Sequence, residues 1–290
     1  MKTYNLFTNQ ESSLPKAKAD LLLLSKNRSD KEFLEARDIS SFSIAETNPI
    51  IITKAIHNLD PFSSIEVLDL ESSDAIDAKD IFAKGMEYGR SYELKGNYLI
   101  LADADPQANI DAIASALALG YETPHFSYNE YVSKVLASVS DEMSSFEKLS
   151  KTADATLMFC AGFLLEATKR FHVVLGGGVD MSVVLLIADK LREDVLMRIK
   201  HDNLTFATAS WSLNVANSDI KQLLTQLSYT PNALCTDFSF ENSEIDSLKK
   251  YDDNKIQESS GSGAALAYGV TNSLTQEALL NEIEIIIYSM

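Results

Sequence analysis

The run Leu175-Gly176-Gly177-Gly178-Val179-Asp180-Met181 joins a short β-branched and aromatic stretch, Phe171–Leu175, to an apolar stretch of helical character, Ser182–Leu191. A strand that turns on consecutive glycines into a helix exposes backbone N–H groups at the helix N-terminus. No Cβ blocks the approach there, and the helix dipole favours negative charge, so the junction suits an anionic group such as phosphate. The competing reading of Gly176, Gly177 and Gly178 is a tight turn that needs positive φ and close packing. A second glycine-rich segment, Glu258-Ser259-Ser260-Gly261-Ser262-Gly263-Ala264-Ala265, also opens onto a small-residue, helix-compatible stretch.

Short apolar runs at Ala19–Leu24, Ile65–Leu70, Asn97–Ala102, Phe171–Leu175, Leu204–Ser210 and Ala233–Phe238 read as buried strands. Rows of Ile, Val and Leu without strict alternation fit parallel strands covered on both faces. Helical patterns lie between them. Pro106–Leu119 carries Ile110, Ile113, Ala114 and Leu117 on one face, with Asp105 as N-cap, Pro106 at the first helical position and Gly120 as the stop. Ser218–Leu227 and Ser243–Tyr251 repeat the capped amphipathic pattern, and Ser273-Leu274-Thr275-Gln276 reads as a capping box before Glu277–Tyr288. Strands alternating with helices predict an α/β fold, a mostly parallel sheet with helices on both faces, Rossmann-like and doubly wound. The chain, 1–290, is expected to be a single α/β domain, with a small helical lobe over about 126–167. Ligands of such sheets bind beyond the carboxyl ends of the strands, so three loops compete: Ala102–Pro106, Gly176–Met181, and Asp237 through Gly263.

With 290 residues, 46% of them hydrophobic, the chain can bury a large core. A formal charge of −17 argues against a nucleic-acid or anionic-membrane binder, both of which need clustered Lys and Arg. Backbone amides can still hold a phosphate inside an acidic protein. Met1–Gln10 lacks a basic region followed by an apolar core, so no signal peptide is expected. No apolar run reaches the roughly 18–20 residues that span a bilayer. Cys160 and Cys235 are too few for a disulfide framework and read as buried thiols, which makes a reduced cytoplasm the default location.

The four histidines, His57, His125, His172 and His201, show no metal-ligand spacing with one another or with the cysteines. These residues call for no metal and no cofactor. Asp180 fits either a contact to a ribose hydroxyl or heterocycle nitrogen, or an N-cap role. Asp103, at a strand end, is a better site candidate than Asp105. Asp237 also ends a strand, and Trp211 could floor an aromatic-base pocket or pack in the core. Gly261 and Gly263 could approach a substrate, with Ser262 donating a hydrogen bond, or could form a surface connection.

Ordered along most of the chain are Thr47-Asn48-Pro49-Ile50-Ile51-Ile52-Thr53-Lys54-Ala55, Phe82-x-x-Gly85-x-x-x-Gly89, Ala161-Gly162, Val174 to Met181, Asp237-Phe238-Ser239, Tyr251 and Glu258-x-x-Gly261-x-Gly263. In this order they resemble the nicotinate-nucleotide:dimethylbenzimidazole phosphoribosyltransferase superfamily, nearest its short archaeal and cyanobacterial branch, over roughly residues 45–270. The resemblance implies transfer of a phosphoribosyl group from nicotinate mononucleotide to a benzimidazole-type or purine base, as in assembly of the cobalamin lower ligand. It also implies a homodimer whose partners are a nucleotide and a heterocyclic base, with Glu258 as general base. Aligned with the longer enzymes instead, Ser260 would take that position, and Ser is no comparable base. By the same resemblance, Gly176, Gly177, Gly178, Asp180, Asp103, Gly261, Ser262 and Gly263 would bind substrate.

The family's glycine- and threonine-rich loop after an earlier strand reads here Asp103-Ala104-Asp105-Pro106-Gln107-Ala108-Asn109-Ile110-Asp111. Its glycines and threonines are absent, and its aspartates would repel a phosphate. That departure motivates a second reading, a non-catalytic relative that binds a nucleotide or base. A third is an α/β enzyme that uses Asp103, Asp105 and Asp180 for a cationic substrate.

Overall fold

The computed structural model describes residues 1–27, 29–70, 77–105, 108–126, 129–216 and 218–290. Along the chain run β1 (Lys2–Asn5), β2 (Ala19–Leu24), α1 (Ser29–Glu35), α2 (Ile50–Leu59), β3 (Ser64–Leu68), α3 (Ala78–Ser91), β4 (Tyr98–Asp103) and α4 (Ala108–Ala118). Next come α5 (Glu130–Leu136), α6 (Ser145–Thr152), α7 (Ala155–Ala167), β5 (His172–Gly176), α8 (Val179–Asp194), β6 (Leu204–Ala209) and α9 (Ile220–Thr225). The chain finishes with β7 (Asn232–Asp237), α10 (Lys249–Asp252), α11 (Ser262–Thr271) and α12 (Gln276–Ser289).

The strands form one seven-stranded sheet in the order β1-β7-β6-β5-β4-β2-β3. Six strands are parallel, and β1 pairs antiparallel with β7. Alternate residues of the all-buried β2 feed two separate cores, Leu22 and Leu24 on one face and Ala19, Leu21 and Leu23 on the other. Helices α3, α4, α7, α8 and α9 cover the first face, and α1, α2, α11 and α12 the second. This is the doubly wound α/β fold expected from the apolar runs, whose strand positions hold to within one or two residues. The added strand, β1, is too short to show a pattern. It is fixed by partners far along the chain, among them Thr236 Oγ1, 2.9 Å from Thr3 Oγ1. Among the described residues, no helix is long and apolar enough to cross a membrane.

Several helix starts differ from the sequence pattern. Helix α9 begins at Ile220, and the Ser218 hydroxyl donates to Ser212 O at 2.7 Å instead of capping it. The Ser243 hydroxyl donates to Glu284 Oε1 at 2.6 Å, and the segment it was expected to cap is a 3-10 turn followed by the four-residue α10. At the end, Thr275 caps α12 by accepting from Ala278 N–H at 3.1 Å, which leaves Ser273 outside the helix with φ 71°. Pro106, expected at the first position of α4, lies outside the described residues. The expected stop holds: Gly120 adopts φ 88°, where its N–H and that of Tyr121 close the helix on Leu117 O and Ala116 O.

Of the stretch 126–167, α5 and α6 pack beside α4, whereas α7 is buried along its whole length between α3, α8 and the sheet. Helices α3 and α7 meet backbone to backbone. A Cβ on Gly85 would overlap the Phe159 carbonyl oxygen, one on Gly162 the Phe82 carbonyl oxygen, and one on Gly89 would lie 2.6 Å from Phe163 O. The glycines of Phe82-x-x-Gly85-x-x-x-Gly89 and Ala161-Gly162 therefore set a helix crossing rather than a ligand contact. Gly85→Ala and Gly162→Ala should each lower stability by about 1–3 kcal/mol or more by forcing the helices apart. Denaturant midpoints of the two variants check this, and an unchanged midpoint would refute the crossing.

Candidate functional site

The parallel strands β4, β5 and β6 end at Asp103, Gly176 and Ala209, and their loops meet at the carboxyl edge of the sheet. The segment 257–261 closes over this edge. It is pinned by Ser260 N–H donating to Asp103 O at 2.6 Å and by the Thr53 hydroxyl donating to Ser260 O at 2.8 Å. Ser260 and Gly261 turn there with φ 56° and 68°, sending the chain into α11. A Cβ on Gly176 would sit 2.7 Å from Ala264 Cβ, and one on Gly263 2.5 Å from Thr208 Cα. Gly176 and Gly263 therefore bring α11 down onto β5 and β6, which carries Glu258 to the glycine run. An added Cβ on Gly178 would lie 3.8 Å from Glu258 Cβ and 3.5 Å from Ser212 Oγ.

Here the carboxyl groups of Asp103, Asp180 and Glu258 are only 2%, 4% and 2% exposed. Glu258 Oε1 accepts from Gly263 N–H at 2.9 Å and from the Ser262 hydroxyl at 3.2 Å, while its Oε2 is buried without a partner. Burial raises this carboxyl to about 8, the Gly263 amide pulls against the rise, and Asp180 adds to it. Burial also lifts Asp180 to about 7, against the pull of the first-turn amides of α8. Asp103 is held well above the usual carboxylate range, first by burial and then by Asp180. Its Oδ1 accepts from Asp105 N–H at 2.9 Å, and its Oδ2 has no partner among the described residues. The Cys160 thiol is pushed up by burial and then by Asp103, Asp154 and Asp180, which leaves it inert.

The expectation of bare amides on the glycine run is corrected. Gly177 N–H donates to Ala207 O at 3.2 Å, because the sheet ladder continues one residue past β5. Gly178 N–H donates to Asp180 Oδ1 at 3.0 Å. Asp180 is not the N-cap of α8: Gly178 holds that position, and the Asp180 side chain reaches back from inside the first turn. The Asp180 N–H in turn donates to Asn109 Oδ1 at 3.1 Å.

A cavity of about 330 Å³ opens beside these groups. Its apolar wall includes Ile110, Ile113, Phe126 and Val179, and its polar wall includes Asn109, Asn129, Ser212, Gln257 and Glu258. Of the glycine run, Gly178 lines it, and no Lys or Arg is among the described lining residues. Asn109 Nδ2 donates to Gln257 Oε1 at 2.6 Å, so Asn109 ties α4, α8 and the Glu258 segment together. Reading the sequence missed Asn109, although it is the one amide side chain in the first turn after the aspartate-rich loop. Asp237 and Trp211 line a different cleft, beyond the 3-10 turn Ser210–Leu213 whose Ser212 faces the first cavity. Trp211 packs against Tyr251 there, ring centroids 4.9 Å apart.

No protein-family model matches the chain. Over 221 residues it is 26% identical to the UPF0284 protein of Methanocaldococcus jannaschii, covering 71% of this chain and 61% of that one. Over 218 residues it is 25% identical to the UPF0284 protein of Synechocystis sp., covering 70% and 59%. The chain is a relative of these archaeal and cyanobacterial proteins. It spans about 60% of the length of the relatives it matches. Among solved structures, the nicotinate-nucleotide-dimethylbenzimidazole phosphoribosyltransferase of Thermus thermophilus superposes with a TM-score of 0.51 at 15% identity, covering 90% of this chain and 82% of that one. A second structure, CobT of the same organism, gives a TM-score of 0.52, also at 15% identity. The fold is thus shared with these phosphoribosyltransferase structures, and the sequence relatives come from archaea and cyanobacteria.

Carboxyls that are raised on folding bind more protons in the native than in the unfolded chain. Their stabilising effect is complete below the unfolded values, near 4, and is lost as pH rises through about 7 for Asp180 and about 8 for Glu258. Thermal melts should therefore show falling stability from about pH 4.5 to 8, and Glu258→Gln should flatten the upper part of that slope. An equal slope in wild type and variant would refute the assignment.

Proposed function

We propose that this cavity is the substrate site of a phosphoribosyltransferase-type reaction, in which a heterocyclic base displaces nicotinate from the ribose of nicotinate mononucleotide. The observation that carries the reading is Glu258: buried, beside Gly178, anchored through Oε1, and with Oε2 unpartnered among the described residues, at a cavity with one apolar and one polar wall. In the reaction, an acceptor ring nitrogen forms a bond to the anomeric carbon as the bond to the pyridinium nitrogen breaks. The departing ring becomes neutral as it takes the bonding pair, and the acceptor's N–H proton passes to Glu258. A carboxyl raised to about 8 is a strong base once ionised, and its low-dielectric surroundings favour discharge by proton uptake. Asp180, which ionises above about 7, adds negative potential that favours binding of the positively charged donor ring. The acceptor is a benzimidazole or a purine, both flat enough for a cavity walled by Ile110, Ile113 and Phe126. The place of this chemistry in the cobalamin pathway, residence in the cytoplasm and assembly as a homodimer are parts of the same proposal.

The experiment is nicotinate release from nicotinate mononucleotide in the presence of 5,6-dimethylbenzimidazole or adenine. Acceptor-dependent release is expected, with a rate that rises with pH and levels off above about 8, where Glu258 is ionised. Glu258→Gln should lower turnover by about 10²–10⁴-fold while leaving the fold intact. Unchanged turnover would remove Glu258 from the chemistry.

A second reading, binding of a base without transfer, draws on the committed amides of Gly177 and Gly178 and on a cavity lining without Lys or Arg among its described residues. Stabilisation by dimethylbenzimidazole or adenine with no nicotinate release under any acceptor would select it.

A further inference from the structure

The glycine run leads into the 16-residue helix α8, and the electropositive end of that helix is already occupied. Asp180 Oδ1 lies 3.0 Å from Gly178 N, Asp180 N–H is held by Asn109 Oδ1, and Gly177 N–H is spent on the sheet. A second carboxyl, Glu258, faces the same cavity with its buried Oε2 unpartnered, so the space beside Gly178 is built for a ligand and also strongly acidic. A dianionic phosphate brought there would meet carboxyl groups and an amide that has no free hydrogen to offer. An uncharged heterocycle would meet neither obstacle.

We propose that Asp180 is an internal stand-in for the ligand's anionic group and sets the preference of the site between neutral and phosphorylated ligands. A neutral base enters the cavity as it stands. A phosphorylated ligand binds only after the Asp180 carboxylate has left the Gly178 amide, whose N–H then turns to the phosphate. The displaced carboxylate is exchanged for a phosphate oxygen that accepts from the same N–H, so the helix terminus keeps a negative group throughout. This inference rests on reading the cavity as the substrate site, but it concerns binding alone and needs no turnover.

Equilibrium binding by calorimetry tests it, with inorganic phosphate, nicotinate mononucleotide and 5,6-dimethylbenzimidazole as probes. In Asp180→Ala the ratio of phosphate-ligand affinity to base affinity should rise at least tenfold over wild type. In Asp180→Asn, which keeps the size of the side chain and drops its charge, the ratio should rise by a smaller factor. In the wild-type protein, nicotinate mononucleotide should move the Gly178 amide and the Asp180 carboxyl resonances together in NMR spectra. An unchanged or lowered ratio in the folded variants, or a bound phosphate that leaves the Asp180 resonance in place, would overturn the proposal. Failure of Glu258 as the base would show instead as normal turnover in Glu258→Gln, so the two ideas fall separately.

Discussion

Two helix N-termini meet at the carboxyl edge of the sheet, and each is closed by a carboxylate of its own chain: α8 by Asp180, α11 by Glu258. The rest of the site follows from that arrangement. Glycine at 176 and 263 lets α11 lie close enough to β5 and β6 for the two ends to meet, since a Cβ at either position would strike the opposing element. Close approach excludes water, and dry carboxyl groups resist ionisation even with amide hydrogens pointed at them. The amides pull the acids down and burial pushes them up more strongly, so Asp180 and Glu258 settle near 7 and 8. Their protons are therefore in play around neutrality, where an ordinary surface carboxylate would be inert.

This arrangement also explains why the site stores rather than supplies stability. An ionised carboxyl without a countercharge is a burden on the native state, and the oxygens left over, Asp103 Oδ2 and Glu258 Oε2, have no donor of their own. A ligand that presents a ring N–H or a positive ring to them relieves part of that burden on binding. Lys26 stands nearby, but it spends itself on Asp105 at 2.8 Å, at the rim. The apolar wall of Ile110, Ile113 and Val179 keeps the interior dry and sharpens the effect.

The sheet was legible because parallel strands buried on both faces must be apolar without interruption, and few other segments of this chain are. The glycine run stood out as a strand-to-helix junction, whereas the glycines of the Glu258 segment fitted a surface connection equally well until α11 was seen to pack on β5 and β6. What the sequence could not show was which partner each amide takes. Whether Gly177 N–H points to a ligand or to Ala207 O depends on how far the β5–β6 ladder runs, and that is a tertiary fact. The position of Asp180 as a back-reaching side chain instead of a cap turns on two residues of helix register. Gly85 and Gly162 carried a signal of the right kind, but only the crossing of α3 and α7 shows that it speaks for packing. The short β1 joins the sheet only through β7, 233 residues away at the Thr3–Thr236 contact, with local bonds to Gln10 and Ser12 beside it.

The loop after β4 shows how such a site can persist after losing its usual residues. It has no glycine or threonine to contact a substrate, and its aspartates add charge of the wrong sign for a phosphate. Yet Asp103 gives its backbone oxygen to Ser260 and its Oδ1 to Asp105 N–H, so the loop holds the Glu258 segment in place. Asn109 does the same work from the first turn of α4, accepting from Asp180 N–H and donating to Gln257. The loop and the first turn of α4 therefore act here as supports for the neighbouring segments. The loop thus positions the backbone of the Glu258 segment, while the Glu258 carboxyl group itself is held by Ser262 and Gly263 of α11.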